Sequence, residues 1–388
     1  MIHDPYGPEY VVKVHDSKIG LTGFLVVHNT ALGPGKGGIR MTPDVGEEEI
    51  GRLASTMTWK NALAGIPFGG AKAGIIWPSS AEAAVGKSGN TEDHKKELIR
   101  AFARALHPLL IKKYIAGPDV NTGEKEMQWF AEAVGAWSVV TGKPAKYCVM
   151  TVDGQKCGLP HEFGSTGFGV AHSAKVAAEL MGMKIKGAKV AIHGFGNVGT
   201  FTYTHLTKMG AKVIAIADKD GAVFVPGGFN AQKIAQLIRA KKTIRDYVGG
   251  KKIRPEDFWR IPVDILIPAS VTDVINNSNK KHIKAKLIVE AGNIPMRENI
   301  EDELFRKGIM FVPDFVANAG GVISSYAEYR GYSPEKMFRL VEDKIVAATR
   351  AVIGESLRRK KNPRQVAMEL ARKRVEAAMA KRKTAFDK

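Results

Sequence analysis

Near the start of the chain, apolar and polar positions alternate. EYVVKVHD and GLTGFLVVHN read as two paired strands around a turn. The period then lengthens: in EEEIGRLASTMTWKNALA the apolar residues Ile50, Leu53, Met57 and Leu63 recur at helical spacing, and HKKELIRAFARALHPLLIKKY predicts a second helix, ending before the loop Ala116 to Gly123. The middle of the chain changes grammar. KVAIHGFG is a short apolar strand ending in glycine, Asn197 to Met209 is a helix stopped by Gly210, and AKVIAIAD is a second strand closing on Asp218. Short apolar strands follow at DILIPAS, KLIVEAGN and IMFVPD, each ending in a small or polar loop, where the rim of a doubly wound sheet holds its ligand. From Pro334 onward the pattern is mostly helical, and Ser80 to Asp93 is polar and small enough for a surface loop. The expected fold class is α/β, with an N-terminal α/β substrate domain over 1–165, a Rossmann-type doubly wound dinucleotide-binding domain over 166–325, and C-terminal helices over 326–388 returning to the first domain.

At 388 residues the chain is long enough for two cores. No apolar run approaches the ~20 residues that span a bilayer, so no membrane partner is expected. The opening MIHDPYGPEY lacks the basic and apolar regions of a signal peptide. Cys148 and Cys157 are too few for a disulfide framework and lack metal-site spacing, so no metal site is expected and a reducing cytoplasm is the default. A formal charge of +19 raises nucleic-acid binding, but it is spread along the chain. Its densest parts are RRKKNPR and ARKRVEAAMAKRK, and the second sets Val375, Ala378 and Met379 on one side of a helix, which reads as a solvated face rather than a nucleic-acid site. The positive field would also draw in dianions and phosphorylated cofactors.

Two motifs carry chemistry. Gly194-Phe195-Gly196-Asn197-Val198-Gly199 stands between strand and helix: Gly194 for a tight turn, Gly196 for close approach of a pyrophosphate, Gly199 for helix–strand packing. The helix N-terminus offers free N–H groups, and Asp218 stands where a ribose hydroxyl is held. Asp218 suits the 2′-hydroxyl of NAD, whereas Lys219 suits the 2′-phosphate of NADP, so both stay open. The second motif runs from Leu32 to Gly74 and sets Lys36, Lys60 and Lys72 among glycines and apolar residues. Stripping water from an ammonium is costly unless an anion compensates, so three such lysines point to a pocket for carboxylates. Lys72, in FGGAKAG, has the surroundings that lower a lysine's pKa for acid–base work.

These stretches, GPGKGGIR, MTWKNALAGIPFGGAKAG, GPDVNTGEKEM, GFGNVG and PDFVANAGGVISSYAE, resemble in content and order the landmarks of the amino-acid dehydrogenases acting on glutamate, leucine, phenylalanine and valine. The resemblance implies a substrate domain and a Rossmann domain with a cleft between, a cytoplasmic homo-oligomer (a hexamer in the glutamate members), and NAD(P)-dependent reversible oxidative deamination of an L-amino acid to a 2-oxo acid and ammonium. It places the catalytic lysine at Lys72, the acid–base aspartate at Asp119, and the α-carboxylate lysine at Lys60. Lys36 and Ser325 match the pair that takes the side-chain carboxylate in glutamate members, which implies glutamate and 2-oxoglutarate. Thr166 and Asn293 match positions near the nicotinamide and its ribose, and Ala269 lies in the segment lining the cofactor cleft. The alternatives are a leucine or branched-chain dehydrogenase and a non-catalytic dinucleotide- or nucleic-acid-binding protein. The chain departs from the glutamate pattern at Gly164-Ser165, where those members read Glu-Ala before the threonine, at EAGN in place of EGAN, and in the shortness of its helical N-terminus.

Overall fold

The two grammars become two sheets in a computed structural model that describes residues 4–78, 92–152, 154–160 and 163–386, the side chains of 383–386 excepted. Residues 79–91, which hold most of the expected surface loop, lie outside the described residues, while Glu92 and Asp93 already begin a helix. The chain divides into one unit of residues 1–163, 322–337 and 371–388, and a second of residues 164–321 and 338–370.

In the first unit, β1 (Tyr10–Asp16) and β2 (Leu21–Asn29) pair antiparallel as their alternation predicts, and β5 (Gly69–Ile76) joins the far side of β2 with Lys72 opposite Val26. β3 (Gly35–Lys36) and β4 (Ile39–Thr42) run parallel to β5, and β6 (Tyr114–Ile115) pairs with β3. Side chains alternate across the sheet. Leu25, Val27, Ala71, Ala73 and Ile75 enter a core with Leu98 and Phe102 of α2 (Glu92–Ala105) and Met127 and Phe130 of α3 (Glu124–Val134). Phe24 and Val26 face Ile50 and Ala54 of α1 (Glu47–Ala64). Lys72 is in phase with Gly70 and Gly74, so it faces the α1 side. The α2 helix is shorter than its apolar pattern suggests. It stops at Ala105, because Pro108 cannot continue the backbone ladder, and Tyr114 and Ile115 become a strand. A hairpin of β7 (Cys148–Thr151) and β8 (Gly154–Cys157) sets Cys148 directly opposite Cys157, and the two are disulfide-bonded. The two cysteines, too few for a disulfide framework, are nonetheless joined because hairpin register brings their Cβ atoms within bridging reach.

The second unit is a doubly wound sheet in the order β12-β11-β10-β9-β13-β14-β15. The strands β9 (Lys189–His193), β10 (Lys212–Asp218), β13 (Ile265–Pro268), β14 (Leu287–Val289) and β15 (Met310–Val312) are parallel. The antiparallel β11 (Gly221–Phe224) and β12 (Lys251–Ile253) extend one edge. α4 (Ser165–Leu180) leads into β9, α5 (Asn197–Lys208) connects β9 to β10, α6 (Ala231–Arg239) follows β11, and α7 (Glu298–Arg306) connects β14 to β15. The chain then continues in α8 (Gly320–Tyr329), α9 (Pro334–Arg359) and α10 (Pro363–Phe386). These last helices do not all go with the first domain, as the boundary at 326 expected. Residues 338–370 belong to the second unit: Phe338 stacks edge-on against Phe168, Ser173 and Thr349 share a buried hydrogen bond of 3.0 Å, and the bare Gly169 leaves room for Ile345.

Beyond the ends of β14 and β15, one guanidinium holds three carboxylates. Arg364 reaches Glu290 at 3.0 Å, Glu301 at 2.6 Å and Asp314 at 3.0 Å, with Glu290 and Glu301 fully buried. Burial, then the nearby Glu301 and Asp314 charges, push Glu290 well above the usual carboxylate range against the pull of Arg364. Burial likewise raises Glu301 against Arg364. A carboxyl raised on folding binds more protons in the native state, so its stabilisation is complete at low pH and is lost as pH rises out of the ordinary glutamate range. Arg364→Met leaves this cluster without its cation. It should cost about 3–5 kcal/mol near neutral pH and less near pH 5, so the gap in melting temperature between variant and parent widens from pH 5 to pH 8 in thermal scans.

Candidate active site

Glycines set the geometry of the first unit's site. A Cβ on Gly70 would meet Thr58 Oγ1 at 2.1 Å and the Thr58 amide at 2.2 Å, so only a bare strand lets α1 lie this close to β5. A Cβ on Gly37 would meet Ala71 O at 1.6 Å, and one on Gly38 would meet Asp119 Cβ at 2.8 Å. These contacts press the GKGG turn onto β5 on one side and onto the Gly117-Pro118-Asp119 loop on the other. The loop is pinned from within: Asp119 N–H donates to Thr122 Oγ1 at 2.9 Å, Thr122 donates to Ile39 O at 2.6 Å, and Asn121, in the left-handed region, donates to Met41 O at 2.9 Å.

Lys72 Nζ then stands 2.8 Å from Asp119 Oδ2, and Arg40 Nε donates to the same oxygen at 3.0 Å, while the Arg40 guanidinium also holds Glu49. Burial pulls the Lys72 ammonium below the usual lysine range, more than Asp119 pushes it back. Burial lifts Asp119, but Lys72 and Arg40 together overcome this and hold its carboxyl below the ordinary range. The result is an ionised carboxylate touching a lysine that gives up its proton easily, a pair suited to moving protons at a reacting centre.

Lys36 is buried in the same unit, 4 % exposed, and its Nζ donates to Ala116 O at 2.9 Å. Burial lowers it to about 7; Glu328 raises it, and Lys72 and Lys143 lower it further. Gly117 is bare where a Cβ would come 2.3 Å from Lys36 Nζ and 3.7 Å from Thr141 Oγ1, and that hydroxyl is buried with no hydrogen-bond partner. Lys60 lies half-buried on α1, beside Asn61, whose amide donates to Gly69 O at 2.6 Å. Ser325 lies half-buried on α8, one turn before Glu328. Among the described residues, no group of three or more His, Cys, Asp or Glu side chains is placed to hold a metal ion.

In the second unit, the turn between β9 and α5 fits a pyrophosphate. Gly194 has φ +101°, and a Cβ there would meet Ala269 O at 2.5 Å. A Cβ on Gly199 would strike Gly194 O at 1.9 Å, whereas Gly196 opens onto empty space. Gly196 caps α5 without a side chain, so the first turn of α5 presents the positive end of a helix dipole at this turn. Phe195 packs edge-on against Tyr203. Ala269 follows β13 and donates its N–H to His193 O at 2.6 Å, and Asn293 Oδ1 accepts from Asn318 at 3.1 Å. Thr166 is in the first turn of α4, close to Gly320. Asp218 is committed to the backbone, which the sequence did not foretell. Its carboxylate accepts from the amides of Asp220 (2.9 Å), Gly221 (3.2 Å) and Ile244 (2.6 Å). Lys219 is 86 % exposed and pairs with Asp220 at 3.0 Å.

Residues 8–135 match the Glu/Leu/Phe/Val dehydrogenase dimerisation domain, and residues 158–383 match the Glutamate/Leucine/Phenylalanine/Valine dehydrogenase family. The chain belongs to this family. It is 36 % identical to the NADP-specific glutamate dehydrogenase of Saccharolobus shibatae, over 97 % of this chain and 90 % of the relative. Among solved structures it resembles the glutamate dehydrogenase of Peptoniphilus asaccharolyticus (TM-score 0.80, 30 % identity, 97 % and 92 % of the two chains). It also resembles the hetero-hexameric glutamate dehydrogenase of Thermus thermophilus in its Leu-bound form (TM-score 0.78, 27 % identity, 97 % and 90 %).

Within this dehydrogenase, Arg40, Thr141, Lys143 and Glu328 sit near the expected lysines but escaped the sequence reading. Arg40 lay in view, four residues after Lys36 in the same glycine block. Asp119→Asn leaves Lys72 buried beside Arg40 with no carboxylate, so its ammonium gives up its proton at still lower pH. Turnover of the family's amino acids should fall about 10²–10⁴-fold, while binding of a reduced nicotinamide dinucleotide, followed by its fluorescence, stays unchanged.

Proposed function

We propose that this dehydrogenase catalyses the reversible oxidative deamination of L-glutamate to 2-oxoglutarate and ammonium, with NAD or NADP as redox partner. The observation that carries the substrate assignment is Lys36, an ammonium buried among small residues and facing a backbone carbonyl. A leucine side chain there would either keep Lys36 neutral or leave its ammonium with no anion from the ligand, whereas a side-chain carboxylate pairs with the charged form. The glutamate dehydrogenases among the relatives support the same reading.

In this mechanism Lys60 binds the α-carboxylate, while Lys36 and Ser325 take the distal one. Lys72 polarises the substrate's carbonyl oxygen and activates the water that adds to the imine carbon. Asp119 takes the proton from the amino group on the way to the imine and returns it in the other direction, its own charge balanced by Lys72 and Arg40. Gly194 to Gly199 would hold the dinucleotide's pyrophosphate and Thr166, Ala269 and Asn293 its nicotinamide end, and a dinucleotide held there would supply the hydride acceptor or donor. Asp218, with three backbone partners, shapes the turn after β10, and Lys219 stands next to it for a 2′-phosphate. The assembly is proposed to be a homo-oligomer, a hexamer by analogy with its relatives, working in the cytoplasm.

Oxidation of NADH and of NADPH with ammonium and a panel of 2-oxo acids tests the assignment directly. Turnover of 2-oxoglutarate is expected. Turnover of 4-methyl-2-oxopentanoate in its place overturns the reading for a leucine-type enzyme. The Lys36 value gives a second test. The empty site loses the Lys36 proton near pH 7 and a bound carboxylate calls it back, so affinity for glutarate, a non-reacting dicarboxylate, is full below pH 7. Above pH 7 it should weaken by up to about tenfold per pH unit. Lys36→Leu should bind glutarate more weakly and lose that pH dependence in inhibition assays.

A further inference from the structure

Lys143 and Glu328 form an ion pair at 2.7 Å in which both side chains are 0 % exposed. They lie 185 residues apart in sequence, and neither role assigned above uses them. Every donor of the ammonium is taken: Lys143 Nζ reaches Glu328 Oε1, Trp137 O at 3.3 Å and Val140 O, and lies 3.9 Å over the Trp137 ring. Glu328 Oε2 accepts the amide of Gly142 at 2.7 Å and that of Leu159 at 3.1 Å. The carboxylate therefore ties together three segments: the strand-like stretch through Val140 and Thr141, the chain leaving the disulfide-closed hairpin at Leu159, and helix α8.

Of these segments, the 139–141 stretch adjoins Lys36, and α8 carries the serine proposed to work with it. Ala116 O accepts both Lys36 Nζ at 2.9 Å and the Thr141 amide at 3.1 Å, so the 139–141 stretch is hydrogen-bonded to the very carbonyl that seats the lysine. Thr141 Oγ1, unpartnered, lies beside the same glycine as Lys36 Nζ. Ser325 precedes Glu328 by three residues on α8, on an adjoining face of the helix. The helix is docked on its flank by Phe68, whose ring stands edge-on to Tyr326 at 5.6 Å and Tyr329 at 5.4 Å, four residues before Lys72. Among the charged groups acting on Lys36, Glu328 is the anion, while Lys72 and Lys143 are cations.

We propose that Lys143 and Glu328 are positioning residues for recognition of the substrate's distal carboxylate. Glu328 fixes Ser325 and Thr141 around Lys36 and faces that ammonium with negative charge, and Lys143 holds Glu328 in place. A desolvated pair that only cemented the fold could be exchanged for a neutral pair of similar volume without touching selectivity. A pair that builds the subsite could not.

This inference rests on the glutamate reading, and the test separates the two. The double variant Lys143→Met/Glu328→Gln removes both charges at nearly constant volume. It is compared with the parent by KM and kcat for 2-oxoglutarate, by KM for ammonium and for the reduced dinucleotide, and by inhibition constants for glutarate and valerate, which differ in the distal carboxylate. The expected result is a rise of about tenfold or more in the 2-oxoglutarate KM and the glutarate inhibition constant. The valerate, ammonium and dinucleotide constants stay within about threefold, and kcat falls less than KM rises. Glu328→Asp keeps the charge but withdraws the carboxylate by one methylene. It should show the same selective loss at smaller size, and it decides the matter if the double variant does not fold. Unchanged glutarate and 2-oxoglutarate constants in either folded variant, or equal weakening of all the constants, overturn the proposal. A parent enzyme that does not turn over 2-oxoglutarate overturns the glutamate reading itself.

Discussion

Burying an ammonium is the constraint around which the first unit is built. Lys36, Lys72 and Lys143 are each 7 % exposed or less, and a cation that far from water persists only beside charge or a full set of acceptors. The fold supplies these unequally. Lys143 receives a carboxylate, two carbonyls and an aromatic face. Lys72 receives one carboxylate, which it shares with Arg40. Lys36 receives a carbonyl. Going from Lys143 to Lys36, the cations are progressively less satisfied by the protein and progressively more available to a ligand.

Bare backbone makes the arrangement possible. Gly37, Gly38, Gly70 and Gly117 each leave a space that a single methyl would fill with a carbonyl, a hydroxyl or the Lys36 ammonium itself. Because they bring α1, β5 and two loops into backbone contact, side chains as short as Asp119 can reach Lys72. The second unit uses the same device for another end: Gly194 and Gly199 let β9, β13 and α5 close up, while Gly196 is left facing open space. In one unit the absent Cβ draws protein groups together, and in the other it also leaves open space above the turn.

The elements and the motifs were legible in the sequence because they are local. Strand alternation gave β1 and β2, the interval from Gly199 to Asp218 gave the βαβ unit, and two of the three glycine-set lysines, Lys36 and Lys72, proved to be buried cations. What stayed hidden was long-range pairing. Nothing near Lys143 announces Glu328, and nothing near Arg364 announces Glu290, Glu301 and Asp314, because a charge pattern along the chain does not say which charge it will meet in space. Asp218 shows the converse. Its position at the end of β10 is the one from which an acid would hold a ribose hydroxyl, yet its oxygens accept from amides of the following turn and of Ile244, contacts decided by how the β10–β11 turn and the segment beginning at Ile244 pack. The disulfide belongs to the same class: two cysteines give no framework, but one hairpin register sets them face to face.

The charge balance of the first unit gives the choice of substrate a physical basis. Arg40 is matched by Glu49 and Asp119, Lys72 by Asp119, and Lys143 by Glu328. Lys36 remains, and burial lowers it so that its proton leaves near pH 7 in the empty site. The protein thus rids itself of surplus positive charge through one side chain. A substrate with only an α-carboxylate would leave that side chain to stay neutral or to bury an unmatched charge. One bearing a second carboxylate restores the proton and the balance together. In the proposed reaction, selectivity for a dicarboxylic amino acid would come from a deficit in the empty site, which a ligand with an anion at its far end would make good.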